Sequence, residues 1–239
     1  MKIFAATDVG IGRANNEDCY AVIDNSTGLV ADGMGGYAAG EVASRMISDI
    51  AMKELSGQQN IDEKVLSGII KKANKEIIEA SSEKNEYKGM GTTVVMCHCQ
   101  DGRGFWANVG DSRCYLLRGG MLKQLSKDHS LVGEMVANGT ITKDEAISHP
   151  KRHMLTRAVG AEKTIKVDVG KLKLKPGDEI LMCTDGVTSV LDDDMIKNVL
   201  LTAESDPAQA LVKKALQTGS LDNITAVVMI INDEERSES

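Results

Sequence analysis

The middle of the chain, from Gly91 to Leu125, constrains the fold more than any other part of the sequence. Short strand candidates follow one another there, and glycine-rich breaks at Asp101-Gly102 and Arg118-Gly119-Gly120 separate them. Short strands joined by tight turns are typical of an antiparallel meander. The candidates are Gly91–Cys99, Gly104–Val109, Cys114–Leu117 and Met121–Leu125.

Helical patterns lie on both sides of this region. Apolar residues recur at helical spacing in 40–55 and 62–83, and Asp206-Pro207 predicts a helix start with proline at its first position. Helices next to antiparallel strands predict an α+β layered domain. The predicted helices are 40–55, 62–83, 130–138, a segment that a capping box opens at Thr142, and a helix from Pro207 to about Gln217.

Further strand patterns occur near both ends of the chain. Residues 2–7, 19–23 and 29–31 predict strands, the last two as a hairpin over the turn at 24–28. Apolar and polar residues alternate from Ile165 to Val169, and Glu179–Cys183 predicts another strand. The run Ile224–Ile231 is almost entirely apolar, so we expect a central, buried strand.

The chain has 239 residues, which suits one large domain or two small ones, and it contains no linker long enough to divide it. We therefore expect a single domain over residues 1–231 and a charged, disordered tail over 232–239. A net charge of −7 and only 3% aromatic residues argue against a nucleic-acid partner. The N-terminus has no long apolar segment, no run suits a membrane helix, and the five cysteines lack a pairing pattern, so we expect a soluble, cytoplasmic protein without membrane insertion.

Several acidic residues lie at the ends of apolar runs, beside glycine or asparagine. Carboxylates in such places are a common way to build a site for Mg²⁺ or Mn²⁺, because these ions prefer oxygen ligands. The alternative is that Asp-Gly and Asp-Asn simply form turns. These places are Glu17-Asp18, Asp32-Gly33, Asp111, Asp185-Gly186 and Asp222-Asn223.

Other chemistries find less support in the sequence. Gly35 to Gly40 has the spacing of a phosphate-binding loop, but Glu41 stands where its lysine is required. Cys97-His98-Cys99 lies in a predicted strand, so both thiols share one face and no second pair completes a zinc site.

Several sequence blocks resemble the metal-dependent Ser/Thr protein phosphatases of the PP2C (PPM) family, in their short bacterial form. They occur in the family's order from about residue 5 to residue 230. The blocks are Thr7-Asp8-Val9-Gly10 with Arg13 and Asn16-Glu17-Asp18; Asp32-Gly33-Met34-Gly35-Gly36 with Gly40-Glu41 and Ala43-Ser44; Gly91-Thr92-Thr93; Asn108-Val109-Gly110-Asp111-Ser112-Arg113; and Thr184-Asp185-Gly186 with Leu221-Asp222-Asn223-Ile224-Thr225.

The resemblance implies a four-layer αββα sandwich with two central antiparallel sheets, and a centre of two Mg²⁺ or Mn²⁺ ions at one end of it. Asp32 would bridge both ions and the Gly33 carbonyl would bind one of them. Asp185 and Asp222 would hold the other ion. Glu17 and Asp18 would complete the shell, although Asp18 could instead accept a hydrogen bond behind it.

Two further roles follow from the resemblance. Asp111 would share a third, weaker metal site with Asp185, or else cap a turn. Arg13 would grip the substrate phosphate, or else form a surface ion pair. Residues from about 131 to 149 correspond to a variable flap beside the site, whose alternative is an ordinary helical excursion.

The activity implied is hydrolysis of phosphoserine and phosphothreonine in proteins by a metal-activated water, without a phosphoenzyme. The expected partners are phosphorylated proteins and a cognate bacterial Ser/Thr kinase, and the expected state is a monomer. Many relatives have histidine where this chain has Met34 or Tyr37, so the proton donor to the leaving group stays open. The alternative function is a catalytically weak relative that binds phosphoproteins as a regulator.

Overall fold

The computed structural model describes residues 1–36, 39–142, 145–146 and 149–232. The tail predicted at 232–239 lies outside the described residues beyond Asn232, and so does Tyr37. The strands are β1 (Lys2–Asp8), β2 (Asp18–Ile23), β3 (Thr27–Met34), β4 (Gly91–Thr92), β5 (Val94–Gln100), β6 (Arg103–Val109), β7 (Arg113–Arg118), β8 (Met121–Gln124), β9 (Asp168–Lys173), β10 (Glu179–Cys183) and β11 (Ile224–Ile230). The helices are α1 (Ala39–Leu55), α2 (Glu63–Glu83), α3 (Leu131–Ala137), α4 (Asp185–Thr188), α5 (Asp193–Thr202) and α6 (Pro207–Thr218), with a 3-10 turn at Asn85–Tyr87.

The strands form two antiparallel sheets. The five-stranded sheet has the order β1-β11-β10-β7-β8, and β11 lies inside it as its apolar sequence predicts. The six-stranded sheet has the order β2-β3-β5-β6-β9, and the short β4 pairs with the end of β3. Each sheet thus joins strands from distant parts of the chain.

Three apolar cores separate four layers. In the first, α1 and α2 cover the six-stranded sheet, where Ile47 and Ile70 pack in the same core as Leu29. In the second, α5 and α6 cover the five-stranded sheet through residues such as Ile196 and Leu211. The third core lies between the sheets and includes Val30, Cys97, Ile180, Met182 and Val227. The αββα sandwich is therefore confirmed.

The helix starts agree with the capping patterns in the sequence. The Asp62 carboxylate accepts hydrogen bonds from the backbone N–H groups of the first turn of α2, and Asp206 accepts one at the start of α6. Thr142 and Glu145 form the reciprocal bonds of a capping box. None of the helices within the described ranges has the length and apolar character needed to cross a bilayer.

The single meander predicted for residues 91–125 is wrong. Strands β5 and β6 belong to the six-stranded sheet, whereas β7 and β8 belong to the other, and the chain crosses between them at 110–112. The predicted strand Gly91–Cys99 is also interrupted at Thr93, because the backbone N–H of Thr93 donates to the carbonyl of Asp32 (2.9 Å).

The alternation from Ile165 to Val169 predicts the wrong segment as a strand. Strand β9 begins only at Asp168, because Ile165 packs into the core beneath α1 and α2 instead of joining a sheet. The helices α4 and α5 are absent from the prediction, and α4 is only 4 residues long. Such a short helix has too few residues to show a periodic pattern.

Candidate active site

All the predicted acidic residues lie at one end of the sandwich. Asp18 begins β2 directly opposite Asp32 on β3. Asp111 follows β6, Asp185 follows β10, and Asp222 precedes β11, so each leaves its sheet at this same end. The two sheets therefore bring together carboxylates that are far apart in the sequence, such as Asp18 and Asp222, which are 204 residues apart.

Asp32 and Gly33 are fixed by their backbone. The Asp32 N–H donates to the Thr93 hydroxyl (2.9 Å), and the Asp32 carbonyl accepts from the Thr93 N–H and the Thr92 hydroxyl (both 2.9 Å). Gly33 lies so close to Gly40 at the start of α1 that a Cβ would stand 2.1 Å from the Gly40 carbonyl oxygen. Only glycine permits this approach of strand and helix.

Glu17 and the loop before it are tied to the start of β11 by Asn223. The Asn223 amide donates to the carbonyls of Val9 (2.8 Å) and Asn15 (2.9 Å), and its oxygen accepts from the Glu17 N–H (2.8 Å). The Glu17 carbonyl in turn accepts from the Ser44 hydroxyl of α1 (2.6 Å). These bonds fix the N-terminal acidic residues to the start of β11 and to α1.

The predicted acidic residues at this end of the sandwich form a carboxylate cluster, which consists of Glu17, Asp18, Asp32, Asp111, Asp185 and Asp222. Two carboxylate oxygens of the cluster are buried and have no hydrogen-bond partner. They are Oδ1 of Asp18 and Oδ1 of Asp185, two of the four such side-chain atoms found among the described residues. The other Asp18 oxygen, Oδ2, accepts from the Thr184 hydroxyl (2.8 Å). A buried carboxylate oxygen without a donor is costly, so these two atoms fit the role of ligands for a cation.

The carboxylates destabilise one another in their charged forms. Burial, reinforced by the charges of neighbouring acids, raises the pKa of Asp18 to about 7. Burial and the charge of Asp185 raise the pKa of Asp111 to about 7 as well. Asp32 has its pKa raised well above its usual value by burial and then by the charge of Asp18. Oxygen-only donors with this excess of negative charge suit Mg²⁺ or Mn²⁺.

Arg13 contacts this cluster through Asp222. Its Nε lies 2.8 Å from Asp222 Oδ1, and its Nη2 donates to Asp222 Oδ2 (2.9 Å). This two-pronged contact is the geometry that a guanidinium also uses for phosphate. Among the described His, Cys, Asp and Glu side chains, no group of three or more stands in a ready arrangement for holding a metal ion.

The segment predicted as a flap, at about 131–149, lies within a longer excursion of the chain. It leaves after Ser130 and returns at Leu155, where these two residues form a β-bridge. Within it α3 is described, whereas residues 143, 144, 147 and 148 lie outside the described part. Near its end, His153 Nδ1 lies 3.9 Å from Asp185 Oδ2, and this contact raises the pKa of His153.

Sequence reasoning missed the polar residues that hold the cluster in place. Thr93, Ser112, Thr184 and Asn223 lie in the blocks that resemble the family, but their residue types alone do not assign them a role. Thr93 and Ser112 share a hydrogen bond between their hydroxyls (2.7 Å), which links the Asp32 strand to the Asp111 turn. Their burial beside the acidic residues could not be recognised from the sequence without the pairing of the strands.

Comparison with known proteins agrees with this architecture. The chain matches the family model described as protein phosphatase 2C over residues 12–220. It is 38% identical over 235 residues to the serine/threonine phosphatase stp of Listeria monocytogenes, with 93% of each chain covered.

Solved structures give the same result. The serine/threonine phosphatase PstP/Ppp of Mycobacterium tuberculosis superimposes with a TM-score of 0.90 at 33% identity, covering 97% of this chain and 98% of that one. The catalytic domain of PstP in complex with 2 manganese ions does so with a TM-score of 0.89 at 32% identity, covering 97% and 98%. The chain therefore belongs to the protein phosphatase 2C family.

Proposed function

We propose that this chain is a metal-dependent phosphatase that hydrolyses phosphoserine and phosphothreonine in proteins. The observation that carries the proposal is the carboxylate cluster, with two partnerless buried oxygens, next to the guanidinium of Arg13. The phosphatase names of the relatives and the manganese complex of one neighbour support the same activity and a divalent metal cofactor.

The acidic residues of the cluster would hold two Mg²⁺ or Mn²⁺ ions. Asp32, the Gly33 carbonyl, Asp185 and Asp222 are the inner ligands of this proposal, with Glu17 and Asp18 completing the shell. Asp111 and Asp185 would hold a third ion. When bound, such ions acidify a water molecule and neutralise charge on the phosphate.

Arg13 would hold the phosphate of the substrate. Its fork now engages both oxygens of Asp222, and it fits two phosphate oxygens in the same way. Substrate binding therefore requires Arg13 to exchange a carboxylate for a phosphate. Met34, next to Gly33, has a thioether and no proton to donate, so it cannot serve as the acid for the leaving group.

We also propose the domain bounds, the partners, the oligomeric state and the location of the protein. We place the activity in one domain over residues 1–231, with the excursion near the site acting as a flap. The partners would be phosphorylated proteins and a cognate Ser/Thr protein kinase, and the protein would act as a monomer in the cytoplasm. The matches that extend over both chains, 93% in the first relative, favour a single catalytic unit.

Hydrolysis of a phosphothreonine peptide and of p-nitrophenyl phosphate, with and without Mn²⁺, tests the proposal. We expect activity only with the metal, and a loss of at least about 100-fold in Asp32→Asn, because Asp32 would contact both ions. Asp101→Asn is the matched control, since Asp101 lies in a turn at the other end of the sheet with a φ of 50°, which asparagine adopts readily. A wild type inactive on both substrates would favour the phosphoprotein-binding alternative.

A further inference from the structure

His129 is buried between the crossing turn at Gly110–Asp111 and the base of the excursion, with 3% of its surface exposed. Its ring contacts three groups. The Gly110 N–H donates to Nδ1 (3.1 Å), and Nε2 lies 3.2 Å from Asp168 Oδ2 and 3.1 Å from Arg157 Nη1.

These contacts define the protonation of the ring. A backbone N–H can only donate, so Nδ1 carries no proton and the neutral ring has its proton on Nε2. Nε2 therefore donates to Asp168, while Arg157 donates to the other Asp168 oxygen (2.9 Å). Burial, which lowers the pKa of His129, agrees with a neutral ring.

The backbone of His129 makes contacts with the same two segments. Its N–H donates to the Gly110 carbonyl (3.0 Å), and its carbonyl accepts from the Thr156 N–H (2.8 Å). The next residues complete the base of the excursion, where the Leu131 N–H donates to the Met154 carbonyl (2.8 Å). One residue thus connects the crossing turn to the returning segment of the excursion.

The crossing turn needs this support because it carries a repelled charge. Gly110 has a φ of 103°, and a Cβ there would stand 2.6 Å from the Thr93 side chain. The adjacent Asp111 carboxylate is buried near the like charge of Asp185. Repulsion between the charges of Asp111 and Asp185 would favour movement of Asp111 out of the cluster, and the bonds between Gly110 and His129 would oppose that movement.

We propose that His129 is a positioning residue that holds the Asp111 carboxylate in the cluster, by binding Gly110 through its ring and its backbone together. The proposal deepens the proposed function and rests on it, because Asp111 is useful there only as a metal ligand. Arg157 and Asp168 orient the ring from the other side. The same contacts couple the base of the excursion to the position of Asp111.

Two variants separate positioning from simple packing. His129→Asn places an amide oxygen near the position of Nδ1 and can still accept from Gly110, whereas His129→Leu fills the space without an acceptor. We expect Mn²⁺ affinity at the weakest site to fall in the order wild type, Asn, Leu, with a loss of about 10- to 100-fold for Leu. Free Mn²⁺ measured by electron paramagnetic resonance gives this affinity independently of catalysis.

His98 supplies the matched control. It is equally buried, 2% exposed, but its ring contacts Thr27 and Gln100 at the opposite end of the six-stranded sheet. His98→Asn and His98→Leu should lower the unfolding temperature yet leave Mn²⁺ binding as in the wild type. If a His129 variant does not fold, Asp168→Asn removes the charged acceptor from Nε2 and should weaken Mn²⁺ binding in the same direction.

The possible outcomes are distinct. If both His129 variants bind Mn²⁺ as tightly as the wild type, and the wild type hydrolyses the phosphopeptide, the inference is overturned while the proposed function stands. Equal losses in His98 and His129 variants would also overturn it, because they would indicate general destabilisation. A wild type that binds no Mn²⁺ would overturn the inference together with the proposed function.

Discussion

Asp32 is buried near the charges of Asp18, Asp185, Asp111 and Asp222. Its burial and this crowding of like charges raise its pKa. The pKa values of Asp18, Asp32 and Asp111 are raised, because burial and like charges both disfavour the charged form of a carboxyl group. A cation would relieve the repulsion, and Arg13 relieves part of it through Asp222. The sequence predicted these residues because each lies beside a recognisable turn, but it could not predict the pairing of Arg13 with Asp222.

The raised pKa of Asp18 predicts a pH-dependent stability in EDTA. Asp18 titrates at about 7 in the folded protein and at about 3.9 when unfolded, so the folded state binds more protons between these values. The contribution of Asp18 to the free energy of unfolding is therefore largest below about pH 4 and falls as the pH rises through 7. Urea unfolding from pH 5 to 8 measures it.

Asp18→Asn is the control for this titration. The buried His98 and His129, whose pKa values are lowered, have the opposite pH dependence, and the difference between wild type and variant cancels their effect. Relative to the variant, the wild type should lose stability as the pH increases over this range. A difference that is constant or increases with pH would contradict the assigned shift.

At the level of helices and strands, close backbone contacts position the acidic residues. The start of α4 packs against the residue before β11 so tightly that a Cβ on Gly186 would stand 1.9 Å from the Asn223 carbonyl oxygen. The sequence predicts α1, α2, α3 and α6, because caps and periodicity are local, but it does not predict α4 and α5. The pairing of strands could not be predicted in this way, since β10 pairs with β7 and β11 from distant parts of the chain. The division of residues 91–125 between two sheets was missed for the same reason.

Gly186→Ala should disrupt the site by separating α4 from β11. The added methyl group overlaps backbone atoms that cannot move aside easily, so we expect a loss of about 1–3 kcal/mol in the free energy of unfolding, with weaker Mn²⁺ binding. Gly68→Ala is the comparison, because Gly68 lies within α2 with open space around it. That change should stabilise the protein by up to about 1 kcal/mol. Equal urea midpoints for the two variants would refute this account.

Across the whole molecule, the proposed centre joins the two sheets. Asp18 and Asp32 belong to the six-stranded sheet, whereas Asp185 and Asp222 flank strands of the five-stranded one. The order of layers and the place of the site followed from the resemblance, since composition and periodicity alone indicate only an α+β domain. Bound ions would link the sheets where their carboxylates repel.

Metal binding should therefore stabilise the fold as a whole. At a Mn²⁺ concentration of about 100 times the dissociation constant, one site adds about 2.7 kcal/mol, which corresponds to an increase of about 5–10 °C in the unfolding temperature over EDTA. Asp32→Asn should abolish this increase and, in EDTA, unfold at a higher temperature than the wild type, because it removes a repelled charge. Calorimetry of both proteins in Mn²⁺ and in EDTA tests this; an unchanged metal response in the variant would contradict it.

The end of the sandwich away from the acidic residues consists of tight turns. The β2–β3 turn at Asp24–Asn25, the β5–β6 turn at Asp101–Gly102 and the β7–β8 turn at Gly119–Gly120 all lie there, and each contains residues with positive φ. Exposed hairpin tips tolerate inserted sequence better than any other part of a sheet. A fluorescent domain or a surface tether could therefore be inserted at Gly119–Gly120, the full length of the sheet away from the centre, and the protein would become an immobilised or optically tagged reagent.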